Sequence, residues 1–212
     1  MVSRRIETIA SLCPFTGPLI DIGSDHGQLL QVLIQKGFAF PLHATELSEA
    51  SFKGLRHALQ DLNVHVYQAN GLTHLSPSIE TVVITGMGGN LIQEILDGGK
   101  SKLAKVNTII LGPQRDPYIV RTWLQRNQWN ITHETFVYED EKGYPFIIAK
   151  KGNMTLTEME AWYGPWLIRK QEPEFLTWLR LEAKQLTADL KLHKHDVKQL
   201  RLEWIQQYVK NR

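Results

Sequence analysis

Cysteine is nearly absent from this chain, since its 212 residues include only Cys13. A single cysteine excludes an internal disulfide and any zinc cluster built on several thiolates. Its place on the apolar side of a predicted helix indicates a buried core residue. Long hydrophobic runs are also lacking, because no stretch reaches the roughly 18 apolar residues of a membrane helix. The first residues lack the apolar segment of a signal peptide, so we expect a cytoplasmic protein.

A strong excess of charge of one sign is missing as well. The formal net charge is +2, and a composition of 42% hydrophobic and 22% charged residues is that of an ordinary globular protein. Composition therefore does not require a nucleic-acid partner, although the small basic excess lies after residue 152. No side chains have the spacing of a metal site, and we expect no metal. The oligomeric state stays open, with a monomer as the expectation.

The most informative stretch is residues 19–27, with the sequence LIDIGSDHG. An apolar strand, a glycine-containing loop and a following helix are the pattern of a nucleotide-type cofactor site on a parallel sheet. A pyrophosphate needs a loop of bare backbone N–H groups. Asp21 and Asp25 would repel phosphate and attract a cation, which favours S-adenosylmethionine as the cofactor. The cofactor-binding residues predicted in this loop are Asp21, Gly23, Ser24, His26 and Gly27.

Short apolar runs alternate with helical segments through most of the chain. The runs are continuous, as in a parallel sheet covered on both faces, and their alternation with helices indicates a doubly wound α/β fold. The predicted strands are 19–22, 42–46, 64–68, 81–85, 106–111, 130–138 and 144–150. The predicted helices are 3–13, 27–36, 48–61, 90–96 and 117–126. We expect the last two strands to form an antiparallel hairpin at the sheet edge, with residues 139–143 as its turn.

The composition changes at residues 151–153, after which glutamate, lysine, glutamine and leucine dominate. We therefore expect an α/β domain over residues 1–152 and a helical hairpin over residues 153–212. Apolar residues at helical spacing predict two amphipathic helices that meet near residues 193–196 and pack like a coiled coil. These residues are Phe175, Leu179, Leu186, Leu190, Val197, Leu200, Trp204 and Tyr208.

Residues after the second and third strands are candidates for holding the nucleoside part of the cofactor. Glu46 ends the second strand about 20 residues beyond the glycine loop, where an acid accepts hydrogen bonds from ribose hydroxyls. Asn70 follows the third strand and offers an amide to the adenine ring, with Gly71 beside it. A tight turn that uses Asn and Gly for positive φ is an equally good interpretation of this pair.

A glycine-rich segment, TGMGG at residues 85–89, follows the fourth strand. It lies on the edge where ligands bind in open α/β sheets, and its glycines allow a ligand to approach the backbone closely. We predict cofactor contacts from Gly86, Met87 and Gly88 and a substrate contact from Gly89. A helix-entry turn without a ligand is the alternative.

The segment after the fifth strand contains Gln114 and Arg115. Gln114 is predicted to hold a substrate base by its Watson–Crick edge, and Arg115 to contact phosphate. The alternative is a loop before a helix that Asp116 caps and Pro117 begins. That alternative explains Asp116 and Pro117 but leaves the roles of Gln114 and Arg115 open.

The motif LIDIGSDH at residues 19–26, followed by GMGG at residues 86–89, the Pro113 loop and a terminal helical hairpin, resembles the bacterial tRNA (adenine-N1)-methyltransferase family. That family methylates adenine 22 in the D-arm of tRNA. The similarity extends over nearly the whole chain, although family members usually have LQPN where this chain has LGPQ at residues 111–114. The resemblance implies a Rossmann-like class I methyltransferase fold, S-adenosylmethionine as cofactor and tRNA as partner.

The implied reaction needs little acid–base chemistry, because N1 of adenine is a neutral nucleophile and positioning supplies most of the rate. The methylated ring is cationic, so Asp25 is the predicted catalytic residue that stabilises its charge, with Gln114 as the second. His26 is interpreted as a loop-stabilising residue ahead of a general base. The basic residues predicted to contact tRNA, with a solvated helix face as the alternative, are Lys191, Lys194 and Lys198.

Two other functions stay open from the sequence. A small-molecule methyltransferase of the same fold would use the tail as a lid or a dimerisation arm. A non-catalytic RNA- or protein-binding module would have lost the cofactor, but Asp21, Gly23 and Glu46 argue against that loss. A nicotinamide oxidoreductase fits least, because the loop lacks the three-glycine pattern and contains Asp25.

Overall fold

The computed structural model describes residues 2–210, and a seven-stranded sheet forms its centre. Its strands are β1 (Leu19–Ile22), β2 (Leu42–Glu46), β3 (Val64–Gln68), β4 (Thr81–Gly88), β5 (Thr108–Arg115), β6 (Trp129–Glu139) and β7 (Lys142–Lys151). Their order is β3-β2-β1-β4-β5-β7-β6. The first five strands are parallel, and β7 is antiparallel to both β5 and β6. The predicted Rossmann-like α/β fold with a mostly parallel sheet is therefore confirmed.

Helices cover both faces of the sheet, and each face has its own apolar core. One face is covered by α1 (Arg4–Leu12), α2 (Gln28–Gln35) and α3 (Glu49–Ala58). The other is covered by α4 (Gly89–Gly98) and α5 (Pro117–Arg126). Short 3₁₀ turns occupy Gly71–His74 and Lys102–Lys105. Continuous apolar strands suit this arrangement, because both faces of each central strand are removed from water.

The strand order reverses between β1 and β4, which are neighbours in the sheet although the chain leaves them towards opposite edges. Such a reversal opens a crevice at the carboxyl ends of the strands, where ligands bind in this class of fold. The loop after β1 and the ends of β4 and β5 therefore meet at one place.

The structure corrects the predicted ends of β4 and β5. β4 continues to Gly88 and β5 to Arg115, and the two pair irregularly, with Met87 opposite Pro113 and Gly88 opposite Arg115. The segments expected as free loops are thus irregular strand ends. The prediction was wrong there because it interpreted glycine and proline as turn signals. Asp116 occupies the position before α5 at φ 55°, and its side chain makes no capping hydrogen bond.

The hairpin between β6 and β7 is confirmed but has a tighter turn than predicted. Glu139 already pairs with Lys142. The connection consists of Asp140 and Glu141, whose φ angles are 50° and 58°. Two consecutive residues with positive φ match the twist of the flanking strands, so the strands extend into the polar segment expected to be a loop.

The tail contains α6 (Glu158–Tyr163), α7 (Pro165–Lys170), α8 (Pro173–Leu192) and α9 (Asp196–Lys210). The first two are short helices that the sequence pattern did not predict. α8 and α9 contact each other. A third apolar core joins these helices to the sheet, since Phe136 of β6 packs with Phe175 and Leu179 of α8. The tail thus rests on the edge hairpin.

A buried ion pair fastens the tail to the sheet. Arg121 of α5 donates from Nε to Glu134 Oε1 of β6 at 2.7 Å, and the two side chains are 1% and 0% exposed. Arg121 Nη1 also donates to the carbonyl oxygens of Ala161 and Trp162 at 3.2 and 2.8 Å. Glu134 Oε2 accepts the backbone N–H of Trp166 at 3.0 Å. Each charge is therefore both paired and hydrogen-bonded, as burial requires.

Within residues 2–210, no helix combines the length and apolar character needed to cross a membrane.

Candidate functional site

A cavity of about 240 Å³ opens at the carboxyl edge of the sheet, where β1, β4 and β5 end. We call it the cofactor cavity. The predicted site residues that line it are Asp21, Gly23, Ser24, Asp25, His26, Gly86 and Gln114. Residues that are far apart in the sequence therefore converge as expected from the positions of their strands. Further parts of the wall come from α1 and β7, which the sequence pattern did not connect with the site, and from α2, β4 and β5.

Asp21 is the buried acid of this cavity. The residue is only 4% exposed, and Ser24 Oγ donates a hydrogen bond to Asp21 Oδ2 at 2.6 Å. Burial raises the pKa of Asp21 to about 6, the Ser24 hydrogen bond opposes that shift, and the nearby Glu46 carboxylate adds to it. At neutral pH this carboxylate is ionised for most of the time. It offers an attractive position to a cation and repels phosphate.

Glu46 holds the glycine loop in place. Its Oε1 accepts the backbone N–H of Asp25 at 2.6 Å. The carbonyl of Thr45, one residue earlier, accepts the N–H groups of Gly23 and Ser24 at 2.9 and 3.2 Å. One carboxylate oxygen of the predicted ribose acceptor is thus committed to the loop. Asp25 adopts φ 54°, and the bonds to the end of β2 stabilise that conformation.

Two loop positions require glycine. Gly23 has φ 70°, and a Cβ there would lie 2.2 Å from Met87 Cε. Gly27 has φ 68° and directly precedes α2, and a Cβ there would lie 2.7 Å from a methyl group of Leu59. Met87 therefore packs over the loop from outside the cofactor cavity. Gly88, which precedes α4, does not line that cavity either.

Asp25 and His26 present their side chains to solvent at the mouth of the cavity. The side chains are 81% and 72% exposed, and His26 Nε2 lies 3.6 Å from Asp25 Oδ1. Gln114 is exposed at the end of β5, and a Cβ on Gly86 would lie 4.0 Å from its Nε2. A carboxylate and an amide are thus available to a molecule that enters the cavity.

Asn70 and Gly71 lie outside the cofactor cavity. They line a separate cavity of about 200 Å³ against α4. Gly71 has φ 51° and begins the 3₁₀ turn. The positive φ supports the turn interpretation of the Asn-Gly pair.

The predicted substrate contacts are more scattered. Gly89 is buried as the first residue of α4, and a Cβ there would lie 2.3 Å from the carbonyl oxygen of Asp116. It therefore permits the close approach of the β5–α5 connection. Arg115 is exposed and lines a second cavity beside the first. In the tail, Lys191 and Lys194 are exposed, whereas Lys198 Nζ pairs with Asp189 Oδ2 at 2.6 Å.

Arg5 and Tyr144 are site residues that sequence reasoning missed. The Arg5 guanidinium carbon lies 4.5 Å from the centre of the Tyr144 ring, and Arg5 Nε donates to Glu139 Oε2 at 2.9 Å. Both line the cofactor cavity opposite the glycine loop. No local pattern signals this pair, because each residue also suits its helix or strand. A cation stacked on an aromatic ring offers a flat surface to a planar ligand.

These features define the ligand that fits the cavity. The buried Asp21 favours a cation, while Gly23 and Gly86 leave their backbones open to close approach. Arg5 is engaged by Glu139, so it does not cancel the charge of Asp21. S-adenosylmethionine, which has a positive charge and no phosphate, meets these conditions. Within residues 2–210, no group of three or more His, Cys, Asp or Glu residues is arranged to hold a metal ion.

Known proteins provide an independent comparison. The sequence profile of TrmK, the tRNA (adenine(22)-N(1))-methyltransferase family, matches residues 19–211. The tRNA (adenine(22)-N(1))-methyltransferase of Bacillus subtilis is 27% identical over 98% of this chain and 97% of its own length.

Solved structures agree. Sp1610 of Streptococcus pneumoniae, solved in complex with S-adenosyl-L-methionine, is 29% identical with a TM-score of 0.91, covering 98% of this chain and 99% of that one. TrmK of M. capricolum, solved with S-adenosyl-homocysteine, shares the fold with a TM-score of 0.85 at 24% identity, covering 99% of this chain and 98% of that one. The resemblance predicted from the sequence motifs is confirmed: the chain belongs to the tRNA (adenine(22)-N(1))-methyltransferase family.

Proposed function

We propose that this protein transfers a methyl group from S-adenosylmethionine to N1 of adenine 22 in the D-arm of tRNA. The observation that carries the proposal is the family match over residues 19–211. The matched residues include the glycine loop, which forms one wall of the cofactor cavity. The sequence alone left a small-molecule methyltransferase and a non-catalytic module open, and the family match favours the tRNA enzyme over both.

When bound, S-adenosylmethionine supplies a methyl group activated by its attachment to a positively charged sulfur. The protein's part is to hold the reactants in line, which supplies most of the rate. Asp21 attracts the positive charge, and Ser24 fixes the Asp21 carboxylate by a hydrogen bond of 2.6 Å. Gly23 and Gly86 leave the backbone accessible at the cavity wall.

Asp25 and Gln114 are the groups proposed to act on the adenine. The Asp25 carboxylate is exposed beside the cavity and stabilises the positive charge that develops on the ring. The Gln114 amide orients the base by its Watson–Crick edge. Arg5 and Tyr144 offer a stacking surface on the opposite wall. This division assigns charge stabilisation to the glycine loop and positioning to the rest of the cavity.

The tail is proposed to contact the RNA. Residues 1–152 would form the methyltransferase unit and residues 153–212 a helical unit whose last two helices pack like a coiled coil. Exposed Lys191 and Lys194 are available for phosphate, and Lys198 is less so because Asp189 neutralises it. Cytoplasmic tRNA is the proposed substrate, and a monomer is the proposed functional form.

Methyl transfer to transcribed tRNA tests the proposed function. Purified protein is incubated with labelled S-adenosylmethionine and an unmodified tRNA transcript, and the nucleosides are identified by mass spectrometry. The matched control is the same transcript with guanine in place of adenine 22. We expect 1-methyladenosine from the first transcript and none from the control. Equal product from both transcripts would overturn the assigned position, and cofactor binding without transfer to either would favour the small-molecule alternative.

A further inference from the structure

A second cavity, of about 410 Å³, lies between the end of β5, the β6–β7 hairpin and the tail helices. We call it the tail cavity. Gln114 lines both this cavity and the cofactor cavity. The two spaces are therefore neighbours that share one exposed amide side chain. A molecule that fills the first is within reach of a group that occupies the second.

Aromatic rings form much of the wall of the tail cavity. Trp178 of α8 lies with its ring centre 5.2 Å from that of Phe136 and 5.9 Å from that of Phe175. Trp162 of α6 contributes a second indole. Both tryptophans are half-buried, so part of each side chain is exposed, although Tyr118 already stacks on Trp162 with ring centres 4.8 Å apart. Stacking of a nucleic-acid base on an aromatic ring stabilises bound single-stranded RNA.

Two arginines hold this wall in place. The Arg201 guanidinium lies 4.1 Å from the centre of the Trp162 ring, and its Nε donates to the Tyr163 hydroxyl at 3.2 Å. Arg201 also pairs with Glu182. The second arginine is Arg121, whose charge Glu134 balances. Neither arginine has a free charge, so both act as supports.

The mouth of the tail cavity has charges of both signs. Arg115 and Lys142 are exposed, and neither side chain makes an ion pair or hydrogen bond with any part of the chain between residues 2 and 210. Asp116 and Glu141 lie at the same mouth. The cations suit phosphate, and the carboxylates accept hydrogen bonds from ribose hydroxyls and base amino groups. Stacking rings, cations and acceptors together suit a single-stranded RNA nucleotide.

We propose that the tail cavity binds the nucleotide next to adenine 22, unstacked from the D-arm, while the adenine enters the cofactor cavity. The inference rests on the proposed function. Consecutive nucleotides share one phosphate, and the two cavities share one side chain, so the strand passes over Gln114. Extruding the adenine costs the stacking that it had in the D-arm. Stacking of its neighbour on Trp162 or Trp178 offsets part of this cost.

A double-mutant cycle between protein and RNA tests the inference. One partner is Trp162→Leu, and the other is a tRNA transcript with an abasic site immediately before or after adenine 22. We expect Trp162→Leu to raise the KM for tRNA about tenfold, near the lower end of the loss of one stacked base, with unchanged affinity for S-adenosylmethionine. We expect one of the two abasic transcripts to raise the KM of the unaltered protein by a similar factor. The same transcript should not raise the KM of the Trp162→Leu variant any further. The inference would be overturned if the KM increases from the variant and from the abasic site multiplied, or if neither abasic transcript raised KM.

A second variant guards against misfolding, because Trp162 also packs on Tyr118 and Arg201. Lys142→Ala removes an exposed charge at the mouth, and Lys150→Ala is its control at the far end of the same strand, outside both cavities. We expect only the first to raise the KM for tRNA, by two- to threefold, with unaltered unfolding. Equal KM values for the two would contradict the inference. Failure of the unaltered protein to methylate adenine 22 would instead refute the proposed function.

Discussion

The glycine loop and the junction between tail and sheet both bury charge, and they treat it in opposite ways. At the junction, Arg121 and Glu134 neutralise each other, and backbone groups satisfy their remaining hydrogen bonds. In the loop, Asp21 is buried beside another acid with one hydroxyl donor. A neutralised pair fixes the structure, whereas an uncompensated carboxylate keeps its charge for a ligand.

The two regions also differ in how the chain builds them. The loop consists of the five consecutive residues 23–27 between β1 and α2, anchored mainly by bonds to the end of β2. The junction joins α5 and β6 to α6 and α7, with partners up to 41 residues apart in the sequence. Local construction lets the loop be recognised as a motif, while the junction exists only after the whole tail has docked.

Breaking the neutralised pair has the largest expected effect. Arg121→Met leaves the buried Glu134 carboxylate without its partner, which costs about 3–5 kcal/mol of unfolding free energy. Urea denaturation measures the loss, and Arg126→Met on the same helix is the control because that residue is exposed. We expect the control to change stability by less than about 0.5 kcal/mol. Equal losses for the two variants would show that the pair does not fasten the tail.

Adding a methyl group to the loop has the next largest effect. Gly23→Ala combines φ 70° with a Cβ 2.2 Å from Met87 Cε, and we expect a loss of about 2 kcal/mol because left-handed backbone alone costs about 1–2 kcal/mol. The control, Gly54→Ala, lies on an exposed helix surface with open space around it. It should gain about 0.5–1 kcal/mol. Thermal unfolding of both variants checks the opposite signs, and a stabilised Gly23→Ala would contradict the described loop.

Asp21→Asn separates binding from stability. Burial raises the pKa of Asp21 to about 6 from 3.8, so protonation below pH 6 should weaken S-adenosylmethionine binding up to about tenfold per pH unit. The variant should bind weakly at every pH. Because ionisation of this acid opposes folding, the unaltered protein gains stability from it as pH falls from above 6 towards 4.

Calorimetric titration at pH 5 and pH 8 measures the affinity for S-adenosylmethionine, and denaturation at the same two pH values measures the stability. At pH 8 the variant should be at least as stable as the unaltered protein, since it lacks the buried charge. Cofactor affinity that does not change with pH in the unaltered protein, or an Asp21→Asn variant that binds normally, would contradict the role assigned to the carboxylate.

Tail lysines give the smallest expected effects. The ion pair between Lys198 and Asp189 lies at the surface, where solvent screens it, so breaking the pair should change stability very little. Lys194→Met should instead raise the KM for tRNA and lower the salt dependence of binding by about one phosphate contact, because this exposed side chain is available for RNA. Filter binding at two salt concentrations compares it with Lys198→Met. If neither variant changes RNA affinity, the lysines form a solvated helix face.

The sequence predicted those parts of the fold whose signals are local. Alternating apolar runs gave all seven strands, and the acids and glycines of residues 19–27 gave the cofactor class. The predicted ends of β4 and β5 were wrong, because the glycine and proline residues of GMGG and GPQ lie in paired but irregular strand ends. The short helices α6 and α7 were missed, since Gly164 and Pro165 interrupt the helical pattern between them.

Side-chain partners across the fold were the part that no pattern could supply. Arg5 lies over the Tyr144 ring, and Arg201 lies over the Trp162 ring. Each contact depends on how α1 or the tail packs against the sheet, which single-residue preferences do not specify. The tail cavity follows from the same long-range packing.

Asp25→Ala, assayed by single-turnover methyl transfer to unmodified tRNA, asks whether the loop acts on the reaction as well as on binding. Asp25 is exposed, so its removal should leave the fold intact. We expect the rate of 1-methyladenosine formation at adenine 22 to fall by at least about 100-fold, with the affinity for S-adenosylmethionine changed by less than about threefold. A variant that methylates adenine 22 at the full rate would contradict the catalytic role of the glycine loop.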